Sequence, residues 1–201
     1  MLKLYIVRHG ETEFNVQKRM QGRIDSPLTQ RGIENAIALG KHLKDVKFDR
    51  VYSSPSPRTI RTAELIMGDK NTPIETENEL REMNLADWEG KTKGELEAQY
   101  PEVYDIFWNS PQLFKPLEGE SFYQVQDRVI AILNRIIENN EGNILIVTHS
   151  VVIKTIVAHF KKYSMEKLWA PPLIHDTSVT LLSTEKGQGK IEIVGDISHI
   201  V

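Results

Sequence analysis

Cysteine is absent from the 201 residues, which excludes disulfides, thiolate nucleophiles and any zinc site built on sulfur. Charge of one sign is also scarce. The formal net charge of −3 at pH 7 gives no general attraction to nucleic acid or anionic lipid, and no long block of like charges marks a basic arm or an acidic tail. Long apolar runs are missing too. The N-terminal stretch bracketed by Lys3 and Arg8 is too short for a signal-peptide core or a membrane span, so a cytoplasmic protein with no nucleic-acid or membrane partner is expected. What is present is ordinary for a soluble globular chain: 40% hydrophobic and 26% charged residues, with length enough to bury a sizeable core as one domain, 1–201. Oligomeric state is not legible.

The apolar pattern alternates between two periods. Residues 2–7, 48–54 and 144–148 read as buried strands, with a short one near 73–76. Residues 29–44 place Ile33, Ala36, Ile37, Gly40 and Leu43 at helical spacing, and 57–67 reads as a helix with Pro57 in its first turn. The segments "TKGE" (92–95) and "SFYQ" (121–124) fit the capping box that starts a helix. The second opens a long helix with Phe122, Val125, Val129, Ile132, Leu133, Ile136 and Ile137 on one face. A helix over 151–161 follows the strand 144–148, and the tail "SVTLLSTEKGQGKIEIVG" predicts two strands joined by a glycine-containing turn. Alternating strands and helices give an α/β fold with a mainly parallel sheet covered on both faces. Residues 100–118 break the regularity, with Tyr100, Tyr104, Phe107, Trp108 and Phe114 among three prolines. A lid or inserted subdomain around 92–118, packed through these aromatics, is expected there, and Trp88 is expected to pack as well.

The strand ends carry the chemistry. In open parallel sheets ligands bind beyond the carboxyl ends of the strands. The first strand ends in Arg8 and His9, the second leads through Ser53 and Ser54 to Arg58, and the third ends in Thr148 and His149. If the strands are neighbours, guanidinium groups and two imidazoles meet at one rim. Such a rim repels metal cations and suits a compact multiply charged anion such as phosphate. Two histidines exceed what binding requires. An unprotonated imidazole could attack phosphorus while the arginines offset charge on the equatorial oxygens. A free imidazole titrates near about 6.5, and neighbouring cations lower that value. The leaving oxygen needs an acid, for which the segment "LREMNLADWEG" (80–90) offers Glu82, Asp87 and Glu89. Arg61 reads as an ordinary helix-surface residue, and His42, His159, His175 and His199 lack a partner motif.

Taken together, "VRHGETEFN", "SSPSPRTIRTAE", "LREMNLADWEG" and "VTHS" resemble, in order and spacing, the four signatures of the histidine phosphatase superfamily, the group that includes the cofactor-dependent phosphoglycerate mutases. The resemblance spans nearly the whole chain. In "LWAPP", "TSVT" and "GDISHI" it is most similar to the broad-specificity bacterial phosphatase branch. The resemblance implies a three-layer α/β/α sandwich, phosphoglycerate mutase-like, and a metal-independent phosphatase without a cofactor that acts on small phosphorylated metabolites. His9 would be the nucleophile forming a phosphohistidine. Arg8, Arg58 and His149 would line the phosphate pocket, Asn15 and Gln21 would complete it, and Glu82 would be the proton donor. Activity should then peak at mildly acidic to neutral pH.

Two departures from the family pattern stand out. Ser150 follows the second histidine where the family usually has glycine; its N–H remains available to substrate, while the hydroxyl could crowd the pocket or add a hydrogen bond. Ala86 replaces the usual glycine in the segment after the acid; it would be strained if that position needs a positive φ, but the loop is expected to tolerate it. The nearest rival is a phosphoglycerate mutase. The shortness of the chain and Gln21, where those mutases tend to carry a small hydroxyl residue, argue against it. A catalytically idle phospholigand-binding module is the rival from another class. Retention of both His9 and Glu82 weighs against that reading, since binding alone has little need of an acid.

Overall fold

The structure, a computed structural model, describes residues 1–185 and 188–200. In chain order the strands are β1 (Leu2–Arg8), β2 (Arg50–Ser53), β3 (Ile74–Thr76), β4 (Gly142–Thr148), β5 (Val179–Glu185) and β6 (Gln188–Asp196). The helices are α1 (Glu13–Val16), α2 (Gln30–His42), α3 (Pro57–Met67), α4 (Lys93–Gln99), α5 (Pro101–Asn109), α6 (Phe122–Asn139) and α7 (Ser150–Phe160). The strands form one sheet in the order β3-β2-β4-β1-β5-β6. β1 and β2 flank β4 in parallel, β3 runs parallel to β2, and β5 and β6 complete the sheet antiparallel. The expected strand pair of the tail is present, while the turn expected between its strands, at 186–187, lies outside the described residues.

Side-chain alternation along the strands builds two cores. Leu2, Leu4 and Ile6 of β1 and Ile144 and Ile146 of β4 face α6 and α7 in the larger cluster. Val7, Leu145 and Val147 face the other way, toward α2 and α3. This period-2 division of one strand between two apolar layers makes the three-layer α/β/α arrangement. Among the described residues no helix is long and apolar enough to cross a membrane.

Local rules account for most element starts. Thr92 and Ser121 form capping boxes, each accepting a backbone N–H three residues on while the Glu95 or Gln124 side chain bonds back. On α6 the expected face is the buried one, with Ile137 at its partly buried margin. On α2 the expected face holds at Ala36 and, at the C-cap, Leu43, both buried, and at Gly40 against α3, but not at Ile37. Gly32, Ala36 and Leu39 are buried, whereas Ile37 is 37% exposed. The helix crossing is close: a Cβ on Gly40 would stand 2.6 Å from the Ile66 carbonyl oxygen of α3, so small residues sit on the contact line.

The 92–118 stretch is more regular than its prolines suggested. Pro101 and Pro111 each begin a helical turn, where the missing N–H costs nothing. Tyr104, Phe107 and Phe114 are buried with Trp88 in the larger core. Trp88 lies 5.5 Å from Phe107 and 5.7 Å from Phe114 between ring centroids, which places it in packing.

Candidate active site

Because β1, β4 and β2 are neighbours, their carboxyl ends meet. Arg8 pairs in register with Thr148, and Ser53 with Val147. His9 N–H donates to the Thr148 carbonyl at 2.9 Å, and the His9 and His149 rings stand 5.3 Å apart. Above them is a cleft of about 160 Å³ lined by Arg8, His9, Asn15, Gln21, Arg58, Glu82 and Ser150, with Arg19, Met20, Leu85, Phe107, Trp108 and Trp169 among its other walls. Of the sequence-predicted residues, only His149 is absent from this lining, its ring set edge-on to that of His9.

The hydrogen bonds assign the histidine tautomers. His9 Nδ1 lies 2.8 Å from the Gly10 carbonyl oxygen. A carbonyl only accepts, so Nδ1 carries the proton and the neutral ring keeps its lone pair on Nε2. His149 is the converse. Its Nδ1 lies 3.1 Å from Arg58 Nη2, a group that only donates, so Nε2 holds the proton and donates to Ser54 Oγ at 2.8 Å. Burial, followed by the charges of Arg58 and Arg8, holds the His9 imidazole well below its usual range. The His149 ring is lowered in the same way, first by burial and then by Arg58. Both rings are therefore neutral at neutral pH, His9 with a free nitrogen and His149 as a brace for Arg58.

The guanidinium groups are gripped from behind. Arg58 Nη1 donates to the Ile24 carbonyl and Asp25 Oδ1, and Nη2 to the Gly22 carbonyl, each at 2.8 Å. Arg8 Nη1 donates to the Ile174 carbonyl at 2.8 Å. The Nε–H of each is buried without a protein partner. Two orphaned, positively charged donors beside one imidazole are costly unless an anion receives them. Nearby, α7 begins at Ser150, so its first free N–H groups and its dipole add to the positive field. Arg61 sits outside this group, exposed and paired with Glu64 at 2.9 Å.

Glu82 is only 8% exposed. Its Oε1 accepts from Met83 N–H at 2.9 Å and its Oε2 from Val151 N–H at 3.3 Å. Burial pushes the carboxyl above its usual range, outweighing those N–H bonds and the pull of Arg58 and Arg128. Of the three acids in this segment, Glu82 alone lines the cleft. Asp87 is exposed and bonds Tyr100. Glu89 binds backbone, as described below.

Asn15 and Gln21 have structural duties besides lining the cleft. Asn15 Oδ1 accepts from Thr12 N–H at 3.1 Å, closing the cap of α1. Gln21 accepts from Thr12 Oγ1 and donates to Ser26 Oγ. His199, which lacked a partner motif, lies 3.0 Å from Thr177 Oγ1, and Thr177 N–H donates to the Arg8 carbonyl at 3.1 Å. Sequence reasoning missed Asp25, the carbonyl grip on Arg58, and Trp169 beside Trp108 in the aromatic wall, although it read the aromatics around 100–118 as an adaptable pocket wall. These roles depend on tertiary placement and leave no local periodic signal; only Trp169 fell within a segment of family resemblance, "LWAPP".

Ala86 departs from expectation. Its φ of 49° lies in the left-handed region, which costs an L-residue about 1–2 kcal/mol, partly offset here by a bond from its N–H to Asn84 Oδ1 at 3.0 Å. The loop bears strain rather than accepting alanine freely. Ala86→Gly should raise stability by about 0.5–1 kcal/mol, seen as a higher denaturant midpoint; a lower midpoint would contradict this.

Among the described residues no group of three or more His, Asp or Glu side chains is arranged to hold a metal ion. Comparison with known proteins fits the geometry. The chain is 44% identical to Bacillus stearothermophilus YhfR, with a TM-score of 0.97 over 100% of both chains. It is 34% identical to the adenosylcobalamin/alpha-ribazole phosphatase of Escherichia coli K12, over 84% of this chain and 83% of that protein. It is 32% identical to phosphoglycerate mutase-like protein 4 of Arabidopsis thaliana, over 98% of this chain and 86% of that one. The model of the histidine phosphatase superfamily (branch 1) matches residues 4–197, and the chain belongs to that superfamily.

Proposed function

We propose that this protein hydrolyses small phosphomonoesters in two steps through a phosphohistidine on His9. The observation that carries the reading is the pair of partnerless Nε–H donors of Arg8 and Arg58 beside an imidazole whose Nε2 is free. His9 Nε2 attacks phosphorus as the ester P–O bond breaks. The electron pair leaves with the alcohol oxygen, which takes the proton from Glu82. Arg8, Arg58 and the N-terminus of α7 offset charge on the equatorial oxygens, so charge compensation requires no metal ion. Water then attacks the phosphohistidine, the P–N bond breaks back to His9, and ionised Glu82 takes the water proton. His149 holds Arg58 in place, and Asn15, Gln21 and Ser150 close the phosphate end of the cleft.

The outer wall, with Met20, Leu85, Phe107, Trp108 and Trp169, presents apolar surface to the leaving group. Such a wall selects weakly among alcohols, which supports broad specificity, with the 92–118 segment as a lid over the cleft. The phosphatase name of the Escherichia coli relative supports water as the acceptor. Phosphoglycerate offered as substrate should therefore yield free phosphate and not its isomer. A chain without cysteine suits the reducing cytoplasm, its proposed compartment.

The pH profile tests the proton assignments. His9 must be neutral, and its pKa is lowered, so activity rises with pH through a limb lying below the ordinary imidazole range. Glu82 must hold its proton, and its pKa is raised, so activity falls with pH through a limb lying above the ordinary carboxylate range. A bell in kcat/KM peaking at mildly acidic to neutral pH is expected, unchanged in excess chelator. A rate climbing steadily into alkali, or one abolished by chelator, would overturn the reading.

A further inference from the structure

We propose that Glu89 is a positioning residue that fastens the loop gripping Arg58 to the loop carrying Glu82, keeping phosphate binding and proton donation in register. Glu89 does not line the cleft and touches no reacting group. Its Oε1 accepts from Arg23 N–H at 2.8 Å and from Leu85 N–H at 3.2 Å, and its Oε2 accepts from Ile24 N–H at 2.9 Å. One carboxylate thus holds a loop on each side of the site.

The bonds on the first loop are directed at Arg58. The peptide unit whose N–H belongs to Arg23 and binds Glu89 is the one whose carbonyl belongs to Gly22 and accepts from Arg58 Nη2. Ile24 likewise gives its N–H to Glu89 and its carbonyl to Arg58 Nη1. In the Gly22–Arg23 unit the carboxylate on the N–H side polarises the carbonyl and strengthens its grip on the guanidinium, whereas the Ile24 carbonyl belongs to the next peptide unit and is held by position. Gly22 has a φ of 52°, and a Cβ there would collide with the Glu89 carboxylate, so the approach is as close as a backbone allows. On the other loop, Leu85 lies three residues from the proton donor. A second link runs parallel: Glu120 accepts from Asn84 N–H at 2.8 Å and lies 3.3 Å from Arg23.

The proposal rests on Glu82 being the proton donor, and the test separates the two ideas. First-turnover rates are measured on an alkyl phosphate, whose leaving oxygen needs a proton, and on p-nitrophenyl phosphate, whose leaving group does not. Glu89→Gln keeps the size but replaces an acceptor oxygen with a donor. The alkyl rate should fall about 100-fold and the nitrophenyl rate about 10-fold, with inorganic phosphate, used as the probe of Arg58, bound more weakly. In a Glu82→Gln background the same change should lower both rates equally, because no donor remains to misplace. Glu89→Asp, which keeps the charge but is too short to serve both loops, should shift the ratio the same way and stands in if Glu89→Gln fails to fold. Equal losses on both esters in the Glu82 enzyme, or phosphate affinity as in the wild type, overturn the proposal. If Glu82→Gln alone leaves the alkyl-to-nitrophenyl ratio untouched, the proton-donor reading has failed instead.

Discussion

His9→Ala should lower turnover of every phosphomonoester the wild type hydrolyses by at least about 10³-fold, because it removes the atom proposed to accept phosphorus and not merely a binding contact. The variant should still bind inorganic phosphate, since Arg8 and Arg58 are untouched and their buried Nε–H groups still require an acceptor. Binding without turnover separates loss of the nucleophile from loss of the fold. His9→Asn sharpens the comparison. Its side-chain amide can still donate to the Gly10 carbonyl, as Nδ1 does at 2.8 Å, yet it offers no nucleophilic lone pair, so it should be equally inactive. A His9→Ala protein that keeps a tenth or more of wild-type activity would remove His9 from the mechanism. A wild-type protein that bound inorganic phosphate but hydrolysed no ester would instead favour the idle-module reading.

The second large effect belongs to Glu82→Gln. The carboxyl is buried with its pKa raised above the usual carboxylate range, chiefly by that burial, so it can hold a proton where an exposed glutamate would have lost it. Replacing it with an amide should slow first turnover of alkyl phosphates by about 10²–10⁴-fold, because an alkoxide would then have to leave unprotonated. Nitrophenyl phosphate should lose far less in that step. In the proposed mechanism the second step also uses Glu82, as base, so the phosphohistidine formed from nitrophenyl phosphate should drain slowly. A burst of nitrophenolate approaching one equivalent of enzyme is expected, followed by a slow steady state. The alkaline limb of the pH profile should disappear with the carboxyl. Equal loss on both esters, with no burst and the alkaline limb intact, would place the acid elsewhere.

Much of this site could be read from the chain because the fold obeys local rules. The runs ending in Arg8-His9 and Thr148-His149 are strands buried on both faces, and the sheet brings them together by pairing β1 with β4. Pro57 starts α3 where expected, which carries Arg58 inward and leaves Arg61 in solvent. On α2 periodicity placed Ala36, Gly40 and Leu43 on the packed face, with Gly40 close against Ile66, but it also put Ile37 there, which is exposed. The prolines of 100–118 signalled irregularity yet begin helical turns, since Pro favours the first helical position as readily as it breaks an interior one.

The supporting side chains were the least legible part of the site. Between Glu82, Asp87 and Glu89, spacing made no choice, and the family resemblance supplied it. The structure separates them by environment: Glu82 in the cleft wall, Asp87 in solvent, and Glu89 bound to three backbone N–H groups. Backbone carbonyls that hold an arginine, such as those of Gly22 and Ile24, carry no side-chain signature. The positive φ of Ala86 was signalled only by the glycine that the family usually has there, because alanine itself is a residue the left-handed region disfavours.

The central claim is that phosphorus passes through the Nε2 atom of His9, and the most direct test is to catch it there. Enzyme mixed with excess nitrophenyl phosphate, stopped in alkali within the first turnovers and digested for mass spectrometry, should yield a single phosphorylated peptide bearing the group on His9. The signal should be strongest in Glu82→Gln. Phosphate found on another residue, or full turnover by Glu82→Gln with no covalent phosphate at any time point, would contradict the account.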